Sequence, residues 1–200
     1  MASGSYRTNF QDPFVKLFGS VARVRLLRLF LFNSKKLFTE SSIAARSRVS
    51  GSEARSELRT LVDSGCVRKV SGSPARYGAD IRFPFLLQLR DMLLNAPLQG
   101  NDVYDRVKLS GTINLVVLSG IFTSSIEGHL DILIVGDRIN EHRLNSAIKS
   151  LEADIGTELQ FASLTTEDFV YRVTVSDRFV RDIFDYPHRI VFDKLDIGLK

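Results

Sequence analysis

The sequence predicts an α+β protein with two domains, residues 14–97 and 98–200, and three observations lead to that class. Positive charge is concentrated in one half: residues 1–95 contain 16 Lys and Arg against 7 Asp and Glu, whereas residues 96–200 contain 11 against 16. Apolar residues recur at helical spacing in the first half. In the second half, β-branched apolar runs alternate with amphipathic stretches, which predicts a mixed sheet covered by helices.

A core helix opens the predicted fold. Over Ser20–Phe32 the apolar residues recur every three or four positions, so one stripe of this helix is expected to be buried. Its arginines are expected to stay solvated: Arg23, Arg25 and Arg28. A short second helix follows at Thr39–Ser47, with Thr39 as its N-cap. The polar residues 1–12 are expected to be loosely ordered.

A basic helix and a hairpin follow. The helix at Ser50–Gly65 begins with capping serines and ends at a glycine, and the hairpin pairs Cys66–Val70 with Ala75–Ala79 across a Ser-Gly-Ser-Pro turn. The order helix, turn, basic helix, hairpin is that of a winged helix, in which one helix enters the major groove of duplex DNA and cations neutralise phosphates. The predicted DNA contacts are polar and basic: Arg46, Arg48, Ser52, Arg55, Ser56, Arg59, Arg68, Lys69 and Arg76.

The halves are joined by a predicted helix within Pro84–Gly100, with Pro84 at its first turn and with Asn95 and Pro97 ending it. Its leucines cover more of the helix circumference than one core needs: Leu86, Leu87, Leu89, Leu93 and Leu94. Two interpretations stand side by side. The leucines form a homodimer or interdomain contact, or they pack onto the first helix of the same domain.

Bulk features exclude several classes of protein. The longest apolar runs are shorter than the roughly 20 residues that span a bilayer, and no signal peptide is visible, so we expect a cytoplasmic protein without a membrane partner. The single cysteine, Cys66, excludes an internal disulfide and is expected to be a small core residue. No metal or cofactor is expected, because the histidines are not at ligand spacing and no P-loop or dinucleotide motif occurs.

The second half contains apolar runs typical of buried strands, separated by amphipathic helices. Strands are predicted at Thr112–Phe122, Leu130–Asp137, Glu158–Leu164 and Arg189–Phe192, and helices at Asn140–Ala153, from Thr165 and from Asp177.

Two segments resemble known families. GSVARVRLLRLFLF resembles winged helix-turn-helix regulators of the ArsR and MarR kind, and LSGIFTSSIEGHLDILIVGD (Leu118–Asp137) resembles the core of minimal nucleotidyltransferases. The resemblances cover most of Phe18–Tyr186 and imply a winged helix followed by a nucleotidyltransferase-like domain, a combination found in small prokaryotic transcriptional regulators. In an active relative, a Gly-Ser turn positions the triphosphate, and two aspartates hold Mg²⁺. The corresponding positions here are Gly120, His129, Asp131 and, for a third carboxylate, Glu158.

The departures from the nucleotidyltransferase pattern predict an inactive domain. Ile121 replaces the serine of the turn and His129 replaces the first aspartate, and Mg²⁺ prefers oxygen ligands to an imidazole. The expected function is therefore a DNA-binding transcriptional regulator whose second domain dimerises, senses a ligand or docks a partner. Two alternatives stay open: an active nucleotidyltransferase that uses Mg²⁺ and ATP through Asp131 and Glu158, and an antitoxin-like module whose acidic half binds a protein.

Overall fold

The computed structural model describes residues 12–94, 100–123 and 130–196. The chain divides into two compact units, Met1–Leu93 and Leu94–Lys200. Both contain helices and strands, and the second contains a mixed four-stranded sheet, which confirms the α+β class. The domain boundary predicted from the sequence falls between residues 97 and 98, outside the described ranges. None of the helices in those ranges is long and apolar enough to cross a bilayer.

Unit 1 contains five helices and three strands in its described part. In chain order they are α1 (Pro13–Phe18), α2 (Val21–Phe32), β1 (Phe38–Thr39), α3 (Glu40–Ser47), α4 (Gly51–Asp63), β2 (Val67–Val70), β3 (Arg76–Ala79) and α5 (Leu86–Leu94). The predicted helices and hairpin are present, whereas α1 and β1 were not predicted. Helix α5 begins later than predicted, because Phe83 accepts from the backbone N–H of Leu86 and places Pro84 in a turn.

The strands of unit 1 form a small antiparallel sheet in the order β1, β3, β2. Phe38 pairs with Tyr77, so the short strand before α3 ties that helix to the hairpin. Gly78 is required here, because a Cβ at this position would lie 2.7 Å from Leu37 Cδ2 and 2.9 Å from Lys36 O. The sheet, α2, α3 and α4 enclose one apolar core. Its largest fully buried side chains are Phe30, Leu26, Ile43, Leu93, Val24 and Val67.

Arg28, expected to be solvated, is buried, so that expectation is wrong. Its Nη1 donates to Asp12 Oδ2 at 2.6 Å, and its Nε donates to Leu93 O at 3.4 Å. Asp12, expected to be loosely ordered, is only 2% exposed and also caps α1 by accepting from Phe14 N at 2.9 Å. A helical pattern marks Arg28 as polar but does not show that a carboxylate from an earlier segment reaches it.

The other two arginines of α2 are half-buried and also bind neighbouring elements. Arg23 Nε donates to Glu57 Oε2 of α4 at 2.8 Å. Arg25 Nη1 donates to the carbonyls of Ser47 and Arg48 at the end of α3, each at 3.3 Å. These contacts join α2 to the two helices that follow it.

Unit 2 contains four helices and four strands in its described part. They are α6 (Gly100–Val107), β4 (Thr112–Leu118), β5 (Ile132–Asp137), α7 (Glu141–Ile155), β6 (Phe161–Leu164), α8 (Thr166–Thr174), α9 (Arg178–Asp185) and β7 (Arg189–Asp193). The strand order is β6, β5, β4, β7; β5 and β6 are parallel, as the α7 crossover between them requires, and the other pairs are antiparallel. Helix α6 was not predicted, and β4 ends at Leu118, four positions before its predicted end at Phe122.

Removing Asp12 should destabilise unit 1 strongly. Asp12→Ala leaves the Arg28 guanidinium buried without its carboxylate, and breaking a buried ion pair in this way costs about 3–5 kcal/mol. Urea unfolding followed by circular dichroism measures the loss. Adding Arg28→Met removes the stranded charge and should recover part of the stability. A cost for Asp12→Ala below about 1 kcal/mol, the scale of an exposed pair, would contradict the buried-pair assignment.

The Cys66 thiol should be unreactive in the folded protein. Cys66 is 3% exposed, and burial raises the pKa of its thiol to about 11, so at pH 8 roughly one thiol in a thousand is ionised. We expect a thiol-specific reagent to label the native protein far more slowly than the urea-unfolded protein, and the native rate to rise as the pH approaches 11. Equal rates in the two states would show that the thiol is accessible.

Candidate nucleic-acid interface

Helix α4 begins at a fully formed capping box. Ser50 Oγ accepts from Glu53 N at 3.2 Å, and Glu53 Oε2 accepts from Ser50 N at 2.9 Å. The hydrogen bonds from Ser50 hold the pKa of the Glu53 carboxyl below its ordinary value. The box fixes the residue at which the helix starts and therefore which side chains face outward.

The exposed side of α4 carries a polar stripe. Ala54, Leu58 and Leu61 are buried on the opposite side, as expected for a helix with one apolar face. The stripe consists of four predicted contact residues, all exposed: Ser52, Arg55, Ser56 and Arg59. Asp63 follows on the same side, one turn after Arg59, so the basic part of the stripe ends there.

The turn before α4 supplies two more exposed arginines. Arg46 lies in the last turn of α3, with its guanidinium 5.6 Å from the centre of the Phe38 ring. Arg48 ends α3 in the left-handed conformation, with φ of 49°, and its backbone N–H is bonded to carbonyls of α3. The guanidinium of Arg25 bonds two carbonyls of the same turn, so the connection between α3 and α4 is held from α2.

The hairpin carries the remaining predicted contacts, Arg68, Lys69 and Arg76, all exposed. Arg76 is paired with Val70, two residues after Arg68, so Arg68 and Arg76 project from the same face and Lys69 from the other. Arg68 also contributes, after the hydrogen bonds from Arg82, to lowering the pKa of the Asp80 carboxyl to about 2.

Most carboxylates of unit 1 are engaged by other residues, which leaves cations on this surface uncompensated. The ion pairs are Asp12–Arg28, Glu40–Arg55, Glu57–Arg23, Asp80–Arg82 and Asp91–Arg90. Four of the predicted contact residues form no ion pair with any residue in the described ranges: Arg59, Arg68, Lys69 and Arg76. The cations of this surface without an ion pair in the described ranges therefore include Arg59 of α4 and three residues of the hairpin.

The residue that sequence reasoning missed on this surface is Glu40. Its Oε1 accepts from Arg55 Nη2 at 2.6 Å, across 15 positions of sequence. The sequence shows only an acidic residue after the N-cap Thr39, which the helix dipole explains by itself.

In unit 2, the carboxylate of Asp131 is occupied by the fold. It is 8% exposed; its Oδ1 accepts from Ile121 N at 3.0 Å, and its Oδ2 accepts from Gln160 N at 2.8 Å. Asp131 therefore holds the turn after β4 against the segment before β6. Asp137, at the other end of β5, accepts from Thr166 N and Oγ1 and from Asn114 Nδ2, and the Thr166 bonds lower the pKa of its carboxyl.

The other positions from the nucleotidyltransferase resemblance do not assemble around Asp131 as a metal site. Glu158, predicted on a strand, lies in a loop instead. The N–H of Gln160 donates to the Asp131 carboxylate, its carbonyl accepts from the N–H groups of Asp131 and Ile132, and pairing of β6 begins only at Phe161. His129 lies outside the described residues. Across the described ranges no group of three His, Cys, Asp or Glu could hold a metal ion. Since both oxygens of Asp131 face backbone N–H groups, these residues do not fit Mg²⁺.

Comparisons with protein families, curated proteins and solved structures gave no significant match, so a function has to be argued from the geometry of this chain.

Gly120→Ala should destabilise unit 2 by more than about 2 kcal/mol. The residue has φ of +54°, which costs a side chain about 1–2 kcal/mol, and its Cβ would lie 2.3 Å from Asp131 Oδ1. Gly65→Ala is the matched control, because Gly65 has φ of +78° but an open Cβ position. Unfolding in urea compares the two losses. Equal losses would show that Asp131 does not crowd this turn.

Proposed function

We propose that unit 1 is a winged helix domain that binds double-stranded DNA, with α4 in the major groove and the β2–β3 hairpin as the wing, and that the protein regulates transcription. The observation that carries the proposal is the exposed stripe of α4, whose arginines and serines are accompanied by uncompensated cations on the hairpin. The major groove of B-DNA accepts an α-helix, and phosphates attract cations on either side of it.

The way α4 is held supports this proposal. The capping box at Ser50 sets where the helix starts, and the Arg23–Glu57 ion pair joins the middle of the helix to α2. The turn before α4 is bonded to Arg25. A helix that reads base edges has to be presented rigidly, because an error of about 1 Å removes a hydrogen bond. The contacts from α2 provide that rigidity without using any residue of the exposed stripe.

For unit 2 we propose a catalytically inactive, nucleotidyltransferase-like domain that serves dimerisation, ligand sensing or partner docking. The support is Asp131, whose carboxylate bonds Ile121 and Gln160 and so has no oxygen directed at a metal or nucleotide. The same observation counts against the alternative of Mg²⁺-dependent nucleotidyl transfer through Asp131 and Glu158.

DNA binding should depend on salt, and Arg59→Ala should weaken that dependence. Fluorescence anisotropy of a labelled duplex pool, titrated between low and moderate salt, gives the slope of log affinity against log salt concentration. Losing one phosphate contact should reduce the magnitude of this slope by about 1 and weaken binding to all sequences similarly.

The matched control is Arg143→Ala, which removes the same charge from an exposed position of α7 in unit 2. This variant should bind like the parent. If the parent binds no duplex at low salt, or if Arg59→Ala and Arg143→Ala behave alike, the proposed interface is wrong.

A further inference from the structure

Arg55 differs from Arg59 and the hairpin cations of the proposed interface, because a carboxylate of another helix orients it. Glu40 is the first residue of α3, and its Oε1 accepts from Arg55 Nη2 on α4 at 2.6 Å. The side chains are 32% and 61% exposed, so the pair lies at the surface that would meet a ligand. An exposed ion pair of this kind contributes little to stability, and the helix dipole favours an acidic residue at Glu40 without requiring that it bond Arg55.

The bond leaves most of the guanidinium available. Arg55 carries five N–H donors, and the hydrogen bond to Glu40 uses one of them. The remaining donors lie on the exposed stripe between Ser52 and Arg59. Guanine presents two acceptors, O6 and N7, at the edge of the major groove, and a guanidinium held in one orientation can donate to both.

Arg59 and the hairpin cations lack such a constraint. Arg59 and Lys69 form no ion pair with a residue in the described ranges, so each keeps its full charge on a long, flexible side chain. This arrangement suits a phosphate, which attracts charge from any direction and carries no sequence information. In the proposed complex the negative charge of Glu40 would lie near the DNA phosphates and repel them. A duplex would then bind well only if a base contact offsets that repulsion.

We infer that Arg55 reads a guanine in the major groove and that Glu40 is its positioning residue, so that the ligand is duplex DNA with guanine at one defined position of each site. The inference rests on the proposed DNA binding by α4. It divides the interface into one arginine that selects sequence and several cations that supply affinity.

The test is a selection from a randomised duplex pool, with sequencing of the bound fraction, for the parent protein and for Arg55→Ala, Glu40→Ala, Glu40→Gln and Arg59→Ala. The parent should enrich guanine at one position. Arg55→Ala should lose about tenfold of that preference, the discrimination of one bidentate contact. Arg59→Ala should bind more weakly but keep the preference.

The two Glu40 variants separate positioning from a structural role. Both remove a negative charge, so both should bind unrelated duplexes more tightly than the parent does. Glu40→Ala should lose the guanine preference, whereas Glu40→Gln keeps a carbonyl acceptor for Arg55 and should retain most of it. Circular dichroism melting of each variant confirms that it is folded.

The outcomes distinguish a failure of this inference from a failure of the proposed DNA binding. If the parent binds no duplex, the proposed function fails and the inference fails with it. If the parent binds and Arg59→Ala weakens binding, but Arg55→Ala or Glu40→Ala leaves the base preference unchanged, DNA binding stands and the inference is overturned.

Discussion

The buried ion pair between Arg28 and Asp12 is the interaction on which unit 1 depends. Burying either charge alone costs several kcal/mol, so α2 can occupy its place in the core only where Asp12 meets it. Asp12 also caps α1, and Arg28 also bonds the carbonyl of Leu93 in α5. One guanidinium therefore sets the positions of three helices. Arg23 and Arg25 of the same helix bond Glu57 of α4 and the carbonyls at the end of α3, respectively.

The ion pairs and hydrogen bonds of unit 1 determine which of its surface charges have a partner. Glu57 and Asp12 are engaged by arginines of α2, Asp80 by Arg82, and Glu53 by the capping box. The carboxylates beside the exposed stripe are Glu40, which is bonded to Arg55, and Asp63. Residues 1–95 have a net charge of +9, and the cations that form no ion pair in the described ranges include Arg59 of α4 and Arg68, Lys69 and Arg76 of the hairpin. The contacts that hold α4 rigidly use arginines of α2 and leave Arg59 and the hairpin cations without an ion pair in the described ranges, as the proposed polyanion binding requires.

Local signals made most of the fold predictable. Thr39 and Ser50 begin helices because their hydroxyls accept from backbone N–H groups three residues later, and the apolar runs of β4 and β5 are strands because both faces are buried. The stripe of α4 followed from helical spacing alone. Other features depend on residues distant in sequence. The burial of Arg28 needs a partner 16 positions away, and the Glu40–Arg55 pair spans 15 positions, so no local pattern contains them.

The contacts of the aspartates in unit 2 also could not be predicted from their local sequence. The resemblance to nucleotidyltransferases implies that Asp131 is a candidate metal ligand, whereas in the structure its carboxylate bonds two backbone N–H groups. β5 has an aspartate at each end: Asp131 bonds the turn after β4 and the segment before β6, and Asp137 bonds Asn114 of β4 and Thr166 at the start of α8. Each carboxylate therefore links β4 or the turn after it to an element next to β6, the segment before it for Asp131 and helix α8 after it for Asp137. A carboxylate that satisfies two backbone or side-chain donors cannot release them to a metal without leaving buried polar groups unpaired, at about 1–3 kcal/mol each. The aspartates at the two ends of β5 are explained by holding neighbouring elements together, and Mg²⁺ binding at Asp131 is not needed to account for them.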